Sequence, residues 1–264
     1  MALERPEGLD EERLRERLRE TYERVAADPA GDFQFHLGTR YAAQYLNYST
    51  EELALVPPVS AKRFSGAGNP HRAGPVRRGE TILDHGCGAG MDVIIAAHRV
   101  GSQGRVIGVD MTQGMLDHAW SGVVAAGVDN RTSLFHGVFE DLPVDDASID
   151  VVLSNGALNL AFDKRRVFAE IFRVLKPGGR LHLADVVVQR EQREDARRNA
   201  DLWTAGVGGA LPEPELLEAA AETGLVNGRI TERFDCFHGA AAEFTVPKDL
   251  MIGAVNFFAR KPGI

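Results

Sequence analysis

The feature that most constrains this chain is a change of rhythm at Glu80, where short β-rich runs begin to alternate with helical ones. Such alternation signals a parallel sheet with crossover helices on its faces, because parallel neighbours cannot be joined by a tight hairpin. The pattern predicts strands at Thr81–Asp84, Arg105–Val109, Thr132–His136, Ile149–Ser154 and Arg180–Val187, with helices at Asp92–Val100, Gln113–Ala126 and Asp163–Leu175. The last helix is stopped by Lys176-Pro177-Gly178-Gly179, since proline cannot continue a helix and glycine closes a tight turn. Two later apolar runs, Leu225–Phe234 and Leu250–Ala259, are expected to add a hairpin at the sheet edge. The expected fold is α/β: a doubly wound, mostly parallel, seven-stranded sheet with right-handed connections.

Ahead of this core, Asp10–Ala27 reads as an amphipathic helix, with Leu14, Leu18, Tyr22 and Val25 recurring every three or four residues. An aromatic-rich stretch and the turn-rich segment around Pro57-Pro58 follow. Three regions are expected: an N-terminal helical cap over 1–62, a core over 63–190, and C-terminal helices with a strand pair over 191–264. In the last region a charged helical run reaches from Gln189 to about Thr204, and a second helix runs from Pro212 to Gly224.

A net charge of -8 opposes binding to a phosphate backbone, which rewards a basic face. The opening Met1–Pro6 has no apolar signal region, and no stretch approaches the roughly 18 apolar residues of a spanning helix. The expectation is a cytoplasmic protein with neither nucleic-acid nor membrane partner. With only Cys87 and Cys236, no disulfide framework and no metal site are expected.

The chemistry is concentrated in Ile82-Leu83-Asp84-His85-Gly86-Cys87-Gly88-Ala89-Gly90, a strand entering a glycine-rich turn and then a helix. Glycines let backbone approach a ligand closely, and free amides at the helix start favour polar or anionic groups. The spacing is GxGxG rather than the GxGxxG of pyrophosphate-binding folds. Asp110 ends the next strand, where a carboxylate can accept both hydroxyls of a ribose, and Leu153-Ser154-Asn155-Gly156 ends the fourth. All three fall on the rim where open α/β sheets bind ligands.

Asp84-x-Gly86-x-Gly88-x-Gly90, Asp110, Glu140-Asp141-Leu142-Pro143 and Leu175-Lys176-Pro177-Gly178-Gly179 together resemble the ordered motifs of class I, Rossmann-like methyltransferases. The resemblance implies S-adenosyl-L-methionine as cofactor and S-adenosyl-L-homocysteine as product. It implies that Gly86, Gly88 and Gly90, with Cys87 in the same loop, pack against the methionine part, and that Asp84 holds the loop and the amino group. Asp110 would bind the ribose, Met111 would lie against the adenine, and Phe139 backbone with the Glu140 side chain would read the adenine edge. Asn155 would face the amino group and line the transfer site.

Arg63–Pro70, Ser154–Leu160 and Ala205–Leu211 further resemble the arsenite methyltransferase branch. In that branch metalloid-binding thiolates stand within these segments, whereas this chain has Ala67, Gly156 and Gly206. Soft As(III) needs soft thiolate donors. The expected activity is therefore direct in-line methyl transfer to a small organic acceptor, with a metalloid methyltransferase and a non-catalytic S-adenosylmethionine-binding module as the alternatives. Candidate acceptor-pocket residues are His36, Tyr41, Tyr45, Gly156, Asn159 and Trp203, and no catalytic base is nominated. His85, His182 and His238 are given no role, a lone histidine being commoner as packing or surface than as a base.

Overall fold

A computed structural model of the chain describes residues 10–189, 197, 199–241, 243 and 251–263. Seven strands form one sheet in the order β3-β2-β1-β4-β5-β8-β7. They are β1 (Thr81–His85), β2 (Arg105–Asp110), β3 (Thr132–His136), β4 (Ile149–Asn155), β5 (Leu175–Val188), β7 (Val226–Phe234) and β8 (Gly253–Arg260). An eighth, β6 (Leu211–Pro212), pairs with the end of β5 off this path. At two residues β6 is too short to leave a periodic signal, which is why the sequence predicts seven strands. β1 to β5 run parallel, while β8 inserts antiparallel between β5 and β7. The hairpin of the sequence analysis therefore joins the sheet through its second strand.

The strand order reverses between β1 and β4, so the ends of β1, β2 and β4 meet at the crevice where a doubly wound sheet takes its ligand. The helices α5 (Met91–Val100), α6 (Gln113–Ala125) and α7 (Lys164–Val174) follow β1, β2 and β4. Two apolar clusters form the core, one containing Ile94, Ile95 and Val151, the other Val152, Phe168 and Phe257. Neighbouring residues of β4 thus enter opposite clusters, as the two-residue period of a strand requires. The β5 strand begins five residues earlier than expected because Leu175 pairs with Ile149 before the glycine turn, and Gly178 carries that turn at φ +79°.

The N-terminal segment folds as α1 (Glu11–Ala27), α2 (Thr39–Tyr45), α3 (Thr50–Leu53) and α4 (Pro58–Ala61). Asp10 caps α1 by accepting from the Arg13 amide, satisfying an amide that the first turn leaves free. One stripe of α1 packs Leu14 and Leu18 against Leu160, Phe162 and Trp203, and a second packs Val25 and Ala26 against Ala89 and Met115. The helix thereby lies across the strand-end rim. Among the described residues no helix is long and apolar enough to cross a membrane. Most of the charged run after Gln189 lies outside the described residues; α8 (Ala200–Thr204) and α9 (Glu213–Glu222) follow it.

Candidate active site

The glycine turn is shaped by its backbone. Gly86, Gly88 and Gly90 all have positive φ, at +82°, +50° and +86°, a region L side chains avoid. A Cβ at Gly90 would sit 3.0 Å from that of Ala119, and one at Gly86 2.6 Å from that of Ala157. A Cβ at Gly88 would meet nothing within 4 Å, so this residue faces open space rather than packing. The turn is held by Asp110, whose Oδ2 accepts from the Gly88 amide at 2.8 Å and whose Oδ1 accepts from the Thr112 amide at 2.9 Å.

Around this turn lies a hollow of about 460 Å³, its mouth included, lined among others by Gly86, Gly88, Asp110, Met111, Phe139 and Asn155. It continues on one side past Asp84, Cys87 and Asp92, and on the other past Met111, Phe139, Glu140 and Arg15. Nine of the ten residues implied for the cofactor thus border one continuous rim; the tenth, Gly90, caps α5 in the left-handed conformation. The Phe139 ring lies 4.4 Å from that of His85, and burial pushes His85 down to about 4, so it is neutral at physiological pH.

Asp84 tests the fit of this rim to S-adenosylmethionine. Its side chain is buried and its Oδ2 has no hydrogen-bond partner. Burial, then the nearby Asp92 and Asp110 carboxylates, hold its carboxyl well above the usual range. A buried orphan acceptor beside the glycine turn lacks a cationic donor, and the ammonium of a methionine moiety is one. The open face of Gly88 and the hollow's length suit the rest of the nucleoside.

Asn155 lines the hollow and is also tied into the protein by hydrogen bonds. Its Oδ1 accepts from the amides of Ala67 and Gly68 at 2.8 and 3.1 Å, while Nδ2 lies 3.0 Å from both Gly68 O and Asp92 Oδ2 and 3.1 Å from Tyr48 Oη. That side chain pins the Ser65–Gly68 loop and links it to Asp92 and Tyr48. Asp92 also accepts from Tyr48 Oη at 2.7 Å and His71 Nε2 at 3.1 Å. Burial opposes its charge, yet hydrogen bonds from His71, Asn155 and Tyr48 prevail and hold Asp92 below the usual carboxylate range.

A second hollow, of about 400 Å³, adjoins the first through Tyr22, Ser65 and Gly156, which line both. Ala67, Gly156 and Gly206, far apart in sequence, converge on it, as do His36 and Tyr41. Tyr41 Oη donates to Gly66 O at 3.1 Å, and the His36 ring packs 4.9 Å from Tyr41. The other candidates stand back. Tyr45 stacks on the ring of His36, and Asn159 is buried, donating through Nδ2 to Asp185 Oδ1 at 2.8 Å. Trp203 does not face the hollow: it stacks on Phe162 in the apolar cluster under α1, and its neighbours Thr204, Ala205 and Gly206 form the wall instead.

Sequence reasoning overlooked Tyr22, Asp185 and Cys236, which all line this second hollow. Tyr22 sits in the apolar phase of α1 and reads there as core. Asp185 carried a legible signal, a lone acid inside the apolar strand run Leu183–Val188. Cys236 lies beyond β7, and nothing in its surroundings distinguishes it.

A glycine turn, an acid at the tip of β2 and a nucleoside-sized hollow at the switch point define an open α/β nucleoside-binding site. A family model described as a methyltransferase domain matches residues 77–231. Over 228 residues the chain is 36% identical to the arsenite methyltransferase of Halobacterium salinarum, covering 81% of this chain and 58% of that protein. It is 32% identical to the Mus musculus enzyme of the same name, over 76% of this chain and 55% of the other. The chain thus spans about half the length of the curated relatives it matches. The crystal structure of an arsenic(III) S-adenosylmethionine methyltransferase from Chlamydomonas reinhardtii matches with a TM-score of 0.70 and 32% identity, covering 81% of this chain and 73% of that one. A Haemonchus contortus phosphoethanolamine N-methyltransferase in complex with S-adenosyl-L-methionine shares the fold alone, at TM-score 0.68 and 18% identity over 93% of this chain and 60% of that one. The chain belongs to the class I S-adenosylmethionine-dependent methyltransferases, in their arsenite methyltransferase-like branch.

Proposed function

We propose that this chain transfers the methyl group of S-adenosylmethionine to a small organic acceptor held in the second hollow. The observation that carries the reading is the convergence of Ala67, Gly156 and Gly206 on that hollow. These are the positions where the resemblance to the arsenite branch places thiolates, and here they offer none. Among the described residues Cys236 is the one sulfur on the wall, and burial raises its thiol far above the usual range, away from the thiolate a metalloid needs. Among the described residues no group of three or more His, Cys, Asp or Glu is placed to hold a metal ion.

When bound, S-adenosylmethionine supplies an electrophilic methyl group on a sulfonium. The residues of this chain supply the rest. The Asp84 carboxyl holds the ammonium, Gly88 lets the backbone lie against the ligand, and Asp110 fixes that turn while offering its remaining lone pairs to the ribose. Met111, Phe139 and Glu140 frame the adenine. Tyr22, brought by α1 to the junction of the two hollows, closes the passage to water and aligns the acceptor, and alignment of this sort is worth up to roughly 7–11 kcal/mol in favourable cases. The three-region organisation belongs to the same proposal, with the first 62 residues as the lid, as does a cytoplasmic location with no nucleic-acid or membrane partner.

The test is a panel of organic acceptors, with arsenite plus glutathione beside them, assayed with a radiolabelled methyl donor. Label transfer to an organic compound is expected; transfer to arsenite alone would overturn the reading in favour of the metalloid, and cofactor binding without transfer to anything would favour a binding module.

A further inference from the structure

We propose that the second hollow is built for a primary or secondary amine, with the Asp185 carboxylate as its counter-ion and as the acceptor of the proton its nitrogen gives up. This rests on the reading of that hollow as an organic acceptor site, and it narrows the acceptor to one chemistry.

Asp185 lies near the end of β5 and is 1% exposed. Among the described residues its carboxylate is fixed by neutral donors: Oδ1 accepts from Asn159 Nδ2 at 2.8 Å and the Val186 amide at 2.7 Å, and Oδ2 from the Asn159 amide at 3.1 Å. Among the described residues no Lys or Arg forms an ion pair with it. Lys164 is close enough to act on it electrostatically, but its ammonium donates to Ala161 O and lies 4.9 Å from the centre of the Trp203 ring. A buried carboxylate without a cation is unfavourable, and burial pushes Asp185 up to about 7 despite its amide donors.

The remaining walls agree in sign. Tyr22, Phe35, Tyr41 and Phe237 line the hollow, and among the described residues no Lys or Arg does. Aromatic faces and a lone carboxylate suit an ammonium and repel an anion. Burial holds the Tyr22 and Tyr41 phenols and the Cys236 thiol in their uncharged, protonated forms, and His36 Nε2 lies 2.9 Å from His238 O. The bound ammonium first gives one proton to the Asp185 carboxylate, which frees the nitrogen lone pair; that pair forms the new N–C bond as the S–C bond breaks, and sulfur keeps the bonding pair. The product leaves as the methylated ammonium, and Asp185 releases its proton to solvent.

The experiment is titration calorimetry of the full chain saturated with S-adenosylhomocysteine, using 2-phenylethylamine, 2-phenylethanol and phenylacetate as probes near pH 7.5. The amine should bind at least about tenfold more tightly than the alcohol, a difference of about 1.4 kcal/mol, and phenylacetate should give no signal. The amine's advantage should shrink as pH is lowered through about 7, where Asp185 takes up its proton, and vanish in Asp185→Asn. Should that variant fail to fold, the three-probe comparison on the unaltered chain decides alone. Equal binding of alcohol and amine, tighter binding of phenylacetate, or a preference that survives in Asp185→Asn overturns the amine assignment and leaves the organic-acceptor reading standing. If none of the three binds, the amine assignment fails; if arsenite with glutathione then binds, the organic-acceptor reading fails with it.

Discussion

Asn155, at the tip of β4, donates to Asp92 Oδ2 in the first turn of α5 at 3.0 Å, tying the far strand of the switch point to the helix that follows the glycine turn. The same amide holds the backbone of Ala67 and Gly68. One side chain therefore couples the loop between cap and core to both hollows. Asn155→Ala should strand the Ala67 and Gly68 amides and lose the Asp92 contact, at about 1–3 kcal/mol for each buried group left unpaired. Urea denaturation with and without S-adenosylmethionine reads both the loss of stability and a weaker stabilisation by ligand; an unchanged midpoint would show that the clasp is replaceable by water.

Gly88 separates binding from folding. Its φ of +50° makes any side chain mildly strained, yet its Cβ would enter open space. Gly88→Val should reduce stability by about 1–2 kcal/mol while weakening S-adenosylmethionine binding by far more than that strain implies, because the side chain fills the cradle. Fluorescence or calorimetric titration alongside a thermal melt distinguishes the two effects. Full affinity in a folded Gly88→Val protein would place the ligand elsewhere.

The acid side of the stability profile follows from two buried histidines. Burial lowers His85 to about 4, and burial followed by Arg180 lowers His182 to about 3. Both fall from an unfolded value near 6.5, so the unfolded chain binds more protons between the two values, and stability must rise with pH there. The contribution is complete above about 6.5 and is lost as pH falls toward the folded values, at a limiting slope of about 1.4 kcal/mol per pH unit for each histidine. His182 has no hydrogen-bond partner on either ring nitrogen and packs against Phe258. His182→Leu should thus flatten the acid limb in denaturation series between about pH 6.5 and 4; a limb as steep as before would assign the loss to the carboxylates.

Among the described residues of the N-terminal helices, Tyr22 lines both hollows. Tyr22→Phe should retain most turnover, since its role here is to fill space. Tyr22→Ala should lower the rate of methyl transfer and let cofactor hydrolysis or exchange compete. Steady-state rates for the two variants check this, and equal loss in both would shift the function to the hydroxyl.

The parallel core was legible because strand and helix periods differ and its stops are chemical: Lys176-Pro177-Gly178-Gly179 ends α7, and the glycines after Asp84 can do little but turn. The strand-end rim was legible because its residues cluster at successive strand ends. The second hollow was not. It is assembled from a helix near the N-terminus, loops around 65, 156 and 206, and a segment beyond β7, so no local period connects them. Tyr22 hid in an amphipathic pattern that burial of any apolar residue would produce. Trp203 misled because size and position suggested a wall, whereas an indole with a cationic neighbour and an apolar cluster at hand packs inward. Asn155 lies at a strand tip, as its sequence position indicates, but its clasp depends on a loop nearly ninety residues away.

In the proposed reading the tips of β1, β2 and β4 cradle a sulfonium nucleoside, with Asp110 fixing the glycine turn and facing the ribose. Isothermal titration of the chain with S-adenosylmethionine, with NAD, and with S-adenosylmethionine against Asp110→Ala tests it most directly. Stoichiometric binding of S-adenosylmethionine, none of NAD, and a loss of at least about tenfold in Asp110→Ala, equivalent to about 1.4 kcal/mol, are expected. Binding of NAD in preference, or undiminished affinity for S-adenosylmethionine in a folded Asp110→Ala variant, would contradict it.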